Sequence, residues 1–78
     1  MDIIRNDDRV CIGVNIRQIR IEKHVGQTEL VRMVQLMGVD LTREALVKIE
    51  RGIQHIKVSQ LKAIKEVLKT SYEELLKE

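Results

Sequence analysis

The chain has 78 residues, a formal net charge of +2 and a single cysteine, Cys11. A chain this short holds one domain with a thin core, burying about 60% of its unfolded surface, and one cysteine excludes an internal disulfide. No run of about eighteen apolar residues exists to span a membrane, and the N-terminal MDIIRNDDRV lacks the basic stretch and apolar run of a secretory signal. Proline, tryptophan and phenylalanine are absent, Tyr72 is the one aromatic residue, and helix formers (Leu, Lys, Glu, Gln, Arg, Met) dominate. The charge is mild, so the placement of the cations decides whether nucleic acid is a partner. Cys11 reads as a small apolar filler rather than a nucleophile.

Residues 1–7 read as an arm, Met1 to Ile4 followed by the polar Arg5-Asn6-Asp7, with Asp7 or Asp8 capping a first helix. Val10, Ile12, Ile16 and Ile19 recur at helical spacing and predict that helix over 8–24, ended by Val25-Gly26. Gly26 also caps a second helix over 27–37, with Leu30, Val31, Val34 and Met37 turned inward. Gly38 is a left-handed stop, and Val39-Asp40-Leu41 is the turn. Thr42 caps a third helix over 43–51, Leu46 and Ile49 face the core, and Gly52 lies just past its end. Residues 53–58 read as a loop. Ser59 or a neighbour opens a fourth helix that buries Leu61, Ile64, Val67 and Leu68. Ser71 with Glu74 is a capping box for a short fifth helix carrying Tyr72, Leu75 and Leu76. The predicted fold class is therefore all-α: a compact five-helix domain over 8–78 behind an arm over 1–7.

Two apolar groups sit awkwardly in this scheme. Met33, Leu36 and Met37 are expected to pack into the core or a lengthened second helix rather than form a partner groove. Val14 and Ile21 lie off the Ile12/Ile16/Ile19 stripe. The arm, through Ile3 and Ile4, is expected to fold over them, a partner surface being the alternative.

The sharpest functional signal lies in 26–52, where two short helices meet at a tight turn. Such a pair can lay its second helix in a DNA major groove, about 12 Å wide, while the first braces it across the backbone. In TREALVKIERG, Leu46 and Ile49 anchor the third helix from behind, leaving Arg43, Glu44, Ala45, Val47 and Lys48 outward. Of these, Arg43, Glu44, Ala45 and Lys48 lie where base edges would be met. Arg43 suits guanine O6 and N7; Glu44 can accept from cytosine N4, offset Arg43, or pair with Lys48 at i,i+4. Lys57 reads as a phosphate contact. His24 and His55 lie far apart with no paired cysteine or clustered carboxylate, so no metal site is expected. No Gly-rich phosphate loop, carboxylate pair or nucleophile triad appears, and neither an enzyme nor a cofactor is expected.

The stretches IGVNIRQIRIEKHVGQTELV, LTREALVKIERG and LKAIKEVLKTSYEELL together resemble the Xre family of phage repressor and Cro helix-turn-helix domains, over about residues 12–76. The matching positions are Ile12-Gly13, Arg20, Gln27, Thr42-Arg43, Ile49-Glu50-Arg51-Gly52, and Leu68 with Ser71 through Leu76. The resemblance implies a lambda-repressor-like fold in which Gln27 and Thr42 bond phosphates and Arg43, Glu44 and Lys48 face bases. It also implies that Arg51, with Gln54 and Lys57 in the loop after it, meets the backbone, and that Arg20 and Glu50 form a partly buried ion pair. Three departures stand out. The segment Gln35 to Leu41 is longer than the family's compact form and lengthens the second helix or the turn. Gly26 replaces the usual Ser/Thr cap, and the loop Ile53 to Lys57 is less basic than is typical.

The function implied is sequence-specific binding of double-stranded DNA by a stand-alone cytoplasmic transcription regulator of bacterial, prophage or mobile-element origin. The chain is expected to carry no small-molecule sensor. It is expected to pair as a homodimer through late apolar side chains among Val67, Tyr72, Leu75 and Leu76. The rival expectation is a protein-interaction module, such as an antitoxin-like neutraliser, which would expose Val14, Ile21 or Met33.

Overall fold

Helix starts and stops govern the layout. A computed structural model describes residues 11–78 and the backbone of Ile3–Ile4. In chain order the elements are β1 (Ile3–Ile4), α1 (Ile12–Glu22), α2 (Gln27–Leu36), α3 (Arg43–Glu50), β2 (Ile56–Lys57), α4 (Val58–Leu68) and α5 (Tyr72–Leu76). The described residues thus form a small, mostly helical domain with one two-residue antiparallel ladder, Ile3 opposite Lys57 and Ile4 opposite Ile56.

Several boundaries differ from the periodicity reading. The first described residue of α1 is Ile12, with Cys11 as its N-cap at φ −106° and ψ 72°, outside helical space. The expected start at 8, with Asp7, Asp8 and Val10, lies outside the described residues. α1 stops at Glu22 rather than 24. Lys23 is the C-cap, His24 turns left-handed at φ 59°, and the Val25 N–H returns to the Arg20 carbonyl at 3.0 Å. α2 runs from its Gly26 cap to Leu36, one residue short of the expected end, and Gly38 is left-handed at φ 83°. The loop expected over 53–58 is shorter: β2 takes Ile56–Lys57 and α4 begins at Val58. At α5, Ser71 Oγ accepts the Glu74 N–H at 3.2 Å, but the Glu74 carboxylate pairs with Lys77 Nζ at 3.4 Å rather than closing a capping box.

The core is one aliphatic cluster. Ile12, Ile16 and Ile19 of α1 meet Leu30, Val31 and Val34 of α2, Leu46 and Ile49 of α3, and Leu61, Ile64 and Leu68 of α4. Leu41, Ile56 and Leu75 join from the turn, β2 and α5. Buried amides tie the ends together. Asn15 Nδ2 donates to the carbonyls of Leu75 at 2.9 Å and Lys77 at 2.8 Å, holding α5 on α1. The turn over 37–42 is pinned from both sides. Gln35 Nε2 donates to the Leu41 carbonyl at 2.8 Å, and buried Gln60 donates to the Asp40 carbonyl at 3.0 Å. Gln60 Oε1 in turn accepts the Lys57 N–H at 2.9 Å, so α4's start and the turn before α3 share one side chain.

Both awkward apolar groups stay on the surface. Met33, Leu36 and Met37 are 41%, 79% and 50% exposed, so the expected core packing does not form. Their helix ends at Leu36 and the chain leaves through Gly38, so nothing described lies over that last turn. Val14 and Ile21 are each about half exposed; of the arm expected over them only the backbone of Ile3–Ile4, paired with β2, is among the described residues. No helix among the described residues is long and apolar enough to cross a membrane.

Candidate nucleic-acid interface

The position of α3 is fixed from behind. Leu46, Ile49 and Glu50 are buried. Glu50 makes a two-pronged contact with Arg20 of α1: Nε to Oε2 at 2.8 Å and Nη2 to Oε1 at 3.0 Å. Both side chains are nearly excluded from solvent, so the pair expected to be partly buried is in fact deep. Arg20 Nη1 also donates to the Val25 carbonyl at 3.0 Å, and Gln27 Nε2 donates to Glu50 Oε1 at 3.1 Å. One carboxylate therefore joins α1, α2 and α3, and its oxygens are filled by three charge-assisted or amide donors.

The same junction demands a glycine. A Cβ on Gly13 would lie 1.9 Å from the Ile49 carbonyl oxygen, a backbone atom with no freedom to swing aside. α1 thus meets the last turn of α3 backbone to backbone, and that closeness is what lets Arg20 reach Glu50.

The front of α3 has the opposite make-up. Thr42 caps the helix, its Oγ1 accepting the Ala45 N–H at 3.0 Å, which leaves its own hydroxyl hydrogen to donate outward. Arg43, Glu44, Lys48 and Arg51 are exposed and line one shallow concavity with Val47 and Ile53. Among the described residues none of these four charged side chains is in an ion pair; of the three roles open to Glu44, pairing with Lys48 is not the one adopted. Ala45, expected to face outward, is half-buried and packs on the core. Ile53 is 63% exposed, brought onto this face because Gly52 turns left-handed at φ 78° and the Ile53 N–H returns to the Lys48 carbonyl at 3.0 Å.

Arg43 also borders a second groove, shared with Arg17 of α1 and with Gln27 and Arg32 of α2. Exposed Arg17 and Arg32 are the cations that sequence reasoning missed. The signal was present for Arg17, three residues before buried Arg20 on the solvent side of α1, but it shows only once α1 and α2 are placed side by side. Gln54, half-buried, and Lys57, exposed on β2, line neither groove. Both lie in the segment between α3 and α4.

The combined surface of α3, the α2 start and the facing side of α1 presents five exposed arginines or lysines (Arg17, Arg32, Arg43, Lys48, Arg51) with two carboxylates, Glu29 and Glu44. Such a surface can bind a polyanion, with Glu44 restricting which one. Among the described residues no three His, Cys, Asp or Glu side chains converge as metal ligands. Comparison of the chain with protein-family models, curated proteins and solved structures finds no match.

Proposed function

We propose that this chain is a sequence-specific double-stranded DNA-binding transcription regulator of helix-turn-helix type, working as a pair in the cytoplasm without cofactor or catalysis. The observation that carries the reading is the division of α3. Its back is clamped by Glu50 to Arg20 and Gln27, while its front holds Arg43, Lys48 and Arg51 out with no internal ion-pair partner among the described residues.

In this reading α3 lies in the major groove and α2 crosses the backbone behind it. Arg43, on the first turn, donates to guanine O6 and N7, and Glu44 accepts from cytosine N4. Lys48 faces the next bases along the helix. Val47 and Ile53 supply apolar surface of the kind that meets a thymine methyl. Gln27 spends one amide hydrogen on Glu50 and keeps the other for a phosphate oxygen, as Thr42 keeps its hydroxyl hydrogen. Arg51, Gln54 and Lys57 follow the backbone away from the reading helix. Phosphate contacts set register and strength, and base contacts set sequence.

The test is selection of bound duplexes from a random pool, followed by footprinting of the enriched sequence. Enrichment of one short motif, protected on the duplex, supports the reading; a pool that stays random through repeated rounds overturns it. A second reading, a protein-interaction module, is favoured by Val14 and Ile21, which stand half-exposed on α1. It gains ground if Val14→Asp abolishes capture of a protein partner while the selected duplex is still bound.

A further inference from the structure

Four of the large apolar side chains exposed among the described residues gather on one surface: Met33, Leu36 and Met37 of α2, and Tyr72 of α5. Two shallow depressions there share Met37 and Glu66, so the surface is continuous from Met33 to Tyr72, with half-buried Val67 at its floor. Its methionines are adaptable fillers, suited to a contact that must shape itself to a partner.

The charges around it are lopsided. Along α4 the rim carries Lys62, Glu66 and Lys69. Glu66 is met by Lys65 at 3.7 Å, and Lys65 also lies 5.1 Å over the Tyr72 ring. Lys62 and Lys69 have no ion-pair partner among the described residues, so the rim is left basic. The neighbouring α5 is the reverse. Glu74 is taken by Lys77, but Glu73, and Glu78 just beyond α5, stand exposed without an ion pair among the described residues, beside half-exposed Leu76.

A basic apolar groove adjoining an acidic helix with an exposed leucine is complementary to itself. A two-fold pair places one patch on the identical patch of its partner, so both halves of the contact must lie side by side on one surface, as they do here through Tyr72. We infer that the Met33–Leu36–Met37 groove seats α5 of a second copy of this chain, with Lys62 and Lys69 facing the partner's acidic side chains. Leu75, expected in such a contact, is excluded: it is fully buried in its own core. The inference deepens the regulator reading, on which the second copy rests, and its test runs without DNA so that the two can fail separately.

The test is sedimentation of the full chain across a concentration series. Wild type should sediment as a dimer, and Leu36→Asp should weaken pairing by about tenfold or more with an unchanged far-UV spectrum. Charge reversal supplies the second arm. Lys62→Glu/Lys69→Glu and Glu73→Lys/Glu78→Lys should each pair poorly alone, yet pair with one another when mixed, because each groove then meets a helix of opposite sign. Wild type that stays monomeric up to its solubility limit overturns the inference. So does a dimer indifferent to Leu36→Asp, and so does a mixture of the reversed variants that fails to pair.

Discussion

The two sides of α3 are made of opposite materials. Behind, Leu46 and Ile49 sit in an aliphatic core, and a carboxylate, Glu50, is buried among donors from two other helices. In front, Arg43, Glu44, Lys48 and Arg51 stand in solvent and touch no ion-pair partner among the described residues. The back decides where the helix sits, and the front decides what it can touch. The two roles should therefore separate experimentally: substitutions behind should move melting, and substitutions in front should move affinity.

The largest effect belongs behind. Glu50→Ala leaves the Arg20 guanidinium buried with one carbonyl for company, and removing one partner of a buried ion pair costs about 3–5 kcal/mol. Thermal unfolding should show a large fall in melting temperature, and an unchanged midpoint would mean the pair does not hold α3. Gly13→Ala should follow. The new methyl would press on the Ile49 carbonyl, and forced overpacking of this kind costs about 1–3 kcal/mol. Its signature differs from that of Glu50→Ala, because the whole α1–α3 approach must widen; a Gly13→Ala variant melting like wild type would contradict the close packing. The smallest effect belongs in front and to one side. Lys57→Ala should leave melting within about 0.5 kcal/mol, as for surface substitutions generally. It should weaken all duplexes alike and flatten the salt dependence by about one counterion. A sequence-dependent loss at Lys57 would blur the line between backbone and base contacts.

The same division explains what the amino-acid sequence reveals. The limits of α2 and α3 are written in local chemistry: Gly26 and Thr42 as caps, Gly38 and Gly52 as left-handed stops. The back of α3 is legible because Leu46 and Ile49 recur at helical spacing against Ile12, Ile16 and Ile19. What escapes is long-range. Gln60 bonds to Asp40 across twenty positions of chain, and Asn15 bonds to Leu75 across sixty, with no periodic sign of either. The ladder of Ile3–Ile4 with Ile56–Lys57 is too short to leave an alternating pattern. Met33, Leu36 and Met37 mislead because they continue the spacing of Leu30 and Val34, although α2 ends before anything can cover them. Arg17 and Arg32 look like ordinary solvated cations until α1 and α2 bring them beside Gln27 and Arg43.

The central claim is that Arg43 reads sequence from a helix held rigidly behind. The most direct measurement is titration of wild type and Arg43→Ala against the selected duplex and a scrambled duplex, at several salt concentrations. The account predicts a loss of about 1–3 kcal/mol on the selected duplex and a much smaller one on the scrambled duplex, with melting of the free protein nearly unchanged. Equal losses on both would reduce Arg43 to a phosphate contact, and no loss on either would contradict the assignment of α3 as the reading helix.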